Sequence, residues 1–147
     1  MLHIADSITR SVFVNAAPVV VWERSFATPA ALASWFPDRI EGEFVLGQTF
    51  ALIWGEHRCE ARLVEIVPCQ SLAYQWHPAD TFTLDALPES ELTTVRFTLA
   101  ESSGGTTITV VETGFSKIAE SRAAFAFEQN NAGWDEELPK LSRSYEV

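Results

Sequence analysis

Cations are scarce in this chain. Ten Lys and Arg stand against twenty Asp and Glu, which leaves a formal charge of -10. Binding to a phosphate backbone or to an anionic lipid surface draws its energy from clustered cations, and no basic run exists here. Nucleic acid is therefore not an expected partner.

Cysteine is rarer still, with Cys59 and Cys69 alone. They bracket a segment that reads as a strand, which would hold them roughly 30 Å apart, whereas a disulfide needs Cα atoms within about 7 Å. Two reduced thiols are expected, and with them a cytoplasmic setting. No apolar run is long enough to cross a bilayer. The stretch from Met1 to Arg10 carries Asp6 and lacks the apolar core of a signal peptide.

Several chemical signatures are missing as well. Neither H-x-x-x-H nor paired-cysteine spacing occurs, so no metal site is expected. There is no G-x-S-x-G elbow and no phosphate-cradling glycine loop, so neither a nucleophile nor a cofactor is indicated. His3, His57 and His77 are the only histidines. His3 lies near the terminus, His57 in a turn and His77 at a strand end, and no carboxylate is set beside any of them by spacing.

Aromatic residues, by contrast, are plentiful: five Trp and ten Phe in 147 residues. Rings of that size need an interior, and a chain of this length supports one, so residues 1–147 are read as a single domain.

The pattern of residues divides the chain into an α+β arrangement. Ile8–Val14 reads as a strand. Pro18 opens a helix whose Val21, Trp22, Ser25 and Phe26 share a face, and Thr28-Pro29 starts a second short helix that ends near Trp35-Phe36-Pro37. From Glu43 to Glu112 the period changes to two. Phe50, Leu52 and Trp54, then Cys59, Ala61 and Leu63, then Leu72, Tyr74 and Trp76, then Val95, Phe97 and Leu99, and finally Ile108, Val110 and Glu112 each occupy one face of a strand. Ser102-Ser103-Gly104-Gly105 marks a hairpin turn. One-sided alternation over successive hairpins predicts an antiparallel sheet with one covered and one wet face. The cover is a long C-terminal helix from Ser121, with Phe127, Asn131, Trp134, Leu138, Leu141 and Tyr145 in its stripe and a bend expected at Pro139.

Val21-Trp22, Thr28-Pro29 with Leu32 and Trp35-Phe36, Gly47, Pro68 with Leu72-Tyr74-Trp76, Thr94–Phe97, Gly105-Thr106, Thr113-Gly114-Phe115, and Gly133-Trp134 with Leu138 and Leu141 follow one another in a familiar order. The set resembles the START-like (SRPBCC, birch-pollen-allergen-like) superfamily from Ile8 to Tyr145. Within it, the set is most similar to the branch of homologues of the C-terminal domain of the heat-shock chaperone ATPase activator. The resemblance implies a helix-grip fold: a curved antiparallel sheet of six or seven strands around the C-terminal helix, with two short helices after the first strand and a cavity between sheet and helix. The superfamily includes lipid carriers, plant hormone and allergen proteins, polyketide cyclases and chaperone cofactors.

A concave space lined by aromatics is a usual small-molecule site. The residues expected to line it are Trp54, Tyr74, Trp76 and Phe97 from the sheet and Phe127, Asn131 and Trp134 from the helix, with Trp35 and Phe36 near the mouth. Glu112 continues the inward face of the last strand. It reads either as a ligand anchor or acid–base group, or as a strand-end carboxylate paired with an arginine such as Arg10. Asn131 suits a bond to a ligand, to a cavity water or to a backbone group freed by the bend. Three functions fit: binding of a small hydrophobic or amphipathic molecule, a cavity enzyme of cyclase, dehydratase or hydrolase type using Glu112, and a chaperone partner. A homodimer through an edge strand or a surface aromatic is a further expectation.

Overall fold

The computed structural model describes residues 5–79 and 82–146, which leaves His3 outside the described residues. Seven antiparallel strands form one curved sheet in the order β1-β7-β6-β5-β4-β3-β2. They are β1 (Ser7–Val14), β2 (Arg39–Glu41), β3 (Thr49–Trp54), β4 (His57–Val67), β5 (Ser71–Trp76), β6 (Thr93–Ser102) and β7 (Gly105–Thr113). Between β1 and β2 lie α1 (Pro18–Ser25) and α2 (Pro29–Leu32), and α3 (Glu120–Arg143) closes the fold. This is the helix-grip arrangement that the resemblance implies, with the sheet and covering helix that the alternation and the stripe predict.

Local chemistry sets the boundaries. Pro18 and Pro29 each stand at the start of a helix, and the Thr28 hydroxyl accepts the Ala31 N–H at 3.1 Å. Ser103 and Gly104 both adopt positive φ, 48° and 80°, the geometry of a two-residue hairpin turn that matches strand twist. Gly105 then enters β7 where the backbone of β1 passes close by. A Cβ built there would lie 2.4 Å from the Val14 carbonyl oxygen. Gly105→Ala is expected to destabilise the fold by about 1–3 kcal/mol by forcing β1 from β7, measured as a lowered urea midpoint.

Pro139 lies inside α3, and the helix runs on past it to Arg143. One expectation is corrected: the outer face of the sheet is not uniformly wet. Ala51, Ile53 and Ala73 are buried there. Ile53 sits between Arg39 and Arg58 across the strands, and Ala51 between Glu41 and Glu60. Arg58 bonds both glutamates, so carbon stems of charged residues roof the apolar pair. Nearby, the segment after β5 folds back over β4, where the Glu60 N–H donates to the Phe82 carbonyl and the Leu84 N–H donates to the Glu60 carboxylate.

The core lies between the concave face and the helices. Phe26, just after α1, and Trp35 and Phe36, from the turn after α2, close around Phe97 with ring centroids 5.3, 5.9 and 5.9 Å away. Each fully buried ring of this kind contributes about 1.5–3 kcal/mol by leaving water. Packing of this density fills the centre of the grip and leaves an opening at one end.

Candidate functional site

The open end is where the β3–β4 hairpin and the end of β5 face the middle of α3. A cleft of about 420 Å³ lies there. Three indoles wall it: Trp54 from β3, Trp76 from β5 and Trp134 from α3, with Phe36 at the inner end. Phe36 stacks on Trp134 at 5.3 Å and meets Trp54 edge-on at 5.1 Å, while Trp54 and Trp76 are 6.1 Å apart.

All three indoles are held by carboxylates. Glu112 is fully buried behind the cleft and receives four donor groups. Trp134 Nε1–H donates to its Oε1 at 2.8 Å and Trp76 Nε1–H to its Oε2 at 3.0 Å. The Thr93 hydroxyl donates to Oε2 at 2.6 Å, and the Asn130 amide reaches both oxygens at 2.9 Å. One side chain of β7 thus ties β5, β6 and α3 together. Trp54 Nε1–H donates to Glu137 Oε1 at 2.8 Å and to the Phe36 carbonyl at 3.2 Å. Lys140 binds that same carbonyl at 2.7 Å and the Glu137 carboxylate at 2.9 Å. With their N–H groups engaged, the indoles are fixed in orientation without any ligand.

Burial raises the Glu112 pKa, and the bonds from Thr93, Trp76, Trp134 and Asn130 oppose that rise. Burial also pushes the Tyr74 phenol well upward, and the nearby Glu112, Cys59 and Glu137 add to it. The Tyr74 hydroxyl is buried without a hydrogen-bond partner among the described residues.

His77, buried beside the cleft, completes the polar set. Its Nε2 lies 3.1 Å from the Leu84 carbonyl oxygen. A carbonyl only accepts, so in the neutral ring Nε2 carries the proton and Nδ1 is an acceptor. That Nδ1 is buried and has no partner among the described residues.

The expected site residues divide into three groups. Phe36, Trp54, Trp76 and Trp134 line the cleft, and Glu112 stands directly behind it. Trp35, Tyr74 and Phe97 lie in the packed centre of the grip instead. There Trp35 stacks on Phe36 and donates its indole N–H to the Ser25 carbonyl at 2.9 Å, and Tyr74 and Phe97 are fully buried. Phe127 and Asn131 face away from the cleft. Phe127 packs edge-on against Phe115 at 5.3 Å, and Asn131 accepts from Arg10 at 2.7 Å. Arg10 also pairs with Asp135 at 2.8 Å, so it locks β1 to α3 and is not the partner of Glu112. That bond holds the Asp135 pKa below the usual range. The alternation of β7 points Glu112 inward, and the arginine on β1 stays at the sheet edge.

Asn130, Thr93, Glu137 and His77 are the polar residues that pattern reading passed over or left unplaced. Asn130, Trp134 and Glu137 stand at helical steps of four and three, which was the available signal for a common face. Cys59 lines the cleft, Cys69 lies in the β4–β5 turn with φ 64°, and neither forms a disulfide. Among the described residues no group of His, Cys, Asp and Glu is arranged to hold a metal ion, and no helix is long and apolar enough to cross a membrane.

Comparison with known proteins places this geometry in context. The model of the family "Activator of Hsp90 ATPase homolog 1-like protein" matches residues 15–146. No curated protein matches the chain. Among solved structures, DynU16 of the dynemicin biosynthetic locus superposes with a TM-score of 0.72 at 24% identity over 95% of this chain, which spans 47% of DynU16. The Aha1 dimer from Colwellia psychrerythraea gives 0.70 at 18% identity, covering 96% of each chain. CV1439 from Chromobacterium violaceum gives 0.70 at 25% identity, over 97% of this chain and 98% of that one.

Proposed function

This chain belongs to the activator of Hsp90 ATPase homolog 1-like family, and from that premise we propose that it binds one small amphipathic molecule in the cleft between the β3–β4 hairpin and α3. The observation that carries this reading is the convergence of Trp54, Trp76 and Trp134 on an open space of about 420 Å³, each with its N–H already bonded to a carboxylate. Aromatic walls with a few fixed polar groups suit such a ligand, and rings held in place beforehand lose little freedom on binding. A cavity enzyme built on Glu112 draws less support, because both oxygens of that carboxylate are occupied by donors of the protein itself. A chaperone partner and a homodimer find support in the family's name and in the dimeric Colwellia relative.

Titration with the neutral fluorophore phenylnaphthylamine tests the reading. Trp emission is expected to fall saturably at one site per chain, with a dissociation constant of roughly micromolar order. A linear, non-saturating response would count against it.

A further inference from the structure

We infer that the cleft selects for cations: its ligand carries an ammonium group on an apolar body, and carboxylate ligands are rejected. This rests on the cleft being a binding site and adds the class of molecule it takes.

Two independent features point the same way. The first is charge. Glu136 and Glu137 line the cleft, and no Lys or Arg does so among the described residues. Glu137 is partly neutralised by Lys140, whose Nζ is tied down between that carboxylate and the Phe36 carbonyl. Glu136 is exposed and has no ion-pair partner among the described residues. The chain's charge of -10 strengthens the field toward cations and against anions.

The second is the wall. Indole faces carry the negative lobe of the ring quadrupole, and several indoles around one space make the environment in which ammonium groups are held. Bonds from the three Nε1–H groups to Glu112 and Glu137 consume the indole donors that a carboxylate ligand would otherwise use. What the indoles still offer is ring surface, which an anion avoids and a cation prefers.

The cleft thus presents carboxylates and ring faces together.

Dansylcadaverine and dansyl-aminocaproate share one fluorophore and one tether and end in an ammonium and a carboxylate respectively, and pentyl dansylamide supplies the neutral reference. Fluorescence titration of the whole chain at low ionic strength is expected to rank them ammonium, neutral, carboxylate, with about a ten-fold or larger gap between the charged pair. Glu136→Gln should reduce that gap about three-fold, as expected for one exposed charge. Glu101→Gln, a charge change in the distant β6–β7 hairpin, should leave it unchanged. Equal or tighter binding of the carboxylate probe, or equal effects of the two substitutions, would overturn cation selection while leaving the cleft as a site. Failure of all three probes to saturate would instead remove the site itself, and the inference with it.

Discussion

Glu112→Leu lowers the stability of the fold by about 3–5 kcal/mol, a large part of what a domain of this size possesses. The loss does not come from a missing apolar contact, since leucine supplies that. It comes from the indole N–H groups of Trp76 and Trp134, the Asn130 amide and the Thr93 hydroxyl, all of which now face a hydrocarbon. Glu112→Gln fails for a more specific reason. The two indoles address opposite oxygens of the carboxylate, so either orientation of the amide sets its NH₂ against an indole N–H. A loss of about 1–3 kcal/mol follows. The pH dependence has a defined sign. Burial holds the Glu112 pKa above its ordinary value, so the native state takes up the proton before the unfolded chain does. The advantage of the natural residue is therefore greatest below the ordinary glutamate pKa and shrinks as pH rises through the folded value. Urea unfolding followed by circular dichroism at several pH values measures all three effects.

Gly133→Leu removes probe binding and leaves the fold intact. Gly133 lines the cleft from α3, and a Cβ placed on it would meet nothing within 4 Å. A leucine there leans over the preceding turn, where Gln129 and Asn130 also line the cleft, and so occupies the space a ligand needs. The backbone gains from the change, because glycine within a helix is about 0.5–1 kcal/mol poorer than alanine or a similar residue. Gly133→Ala is the matched control, with a raised urea midpoint and probe binding retained. A folded Gly133→Leu protein that still bound phenylnaphthylamine would place the probe elsewhere. This substitution separates occupancy from stability, which no change at Glu112 can do.

The elements of the fold follow from repeat and punctuation. A period of two, a helix stripe, two prolines at helix starts and a Ser-Gly turn place six of the strands and the three α-helices of the described residues. β2 escapes because Arg39–Glu41 is too short to show a period. The site is harder to read for a physical reason. Alternation tells which face a side chain is on and says nothing of how much of that face other rings cover. Tyr74 and Trp76 are neighbours on one face of β5, yet Tyr74 is sealed in the core and Trp76 borders open space. Trp35 and Phe36 differ in the same way, by one residue. Glu112 was recognisable as inward-facing, whereas its partners come from three separate elements that no local spacing connects. On α3 the choice between Asn130 and Asn131 turns on a single helical step, and that step decides between the carboxylate of β7 and the arginine of β1.

Side-chain NMR of the five tryptophans reads the cleft most directly, because each indole N–H gives its own resonance. On addition of phenylnaphthylamine, the Trp54, Trp76 and Trp134 signals should move together and saturate at one equivalent, while those of Trp22 and Trp35, buried beneath other rings, stay in place. Shifts spread over all five indoles, or none at all, would mean that these carboxylate-held rings border no binding site.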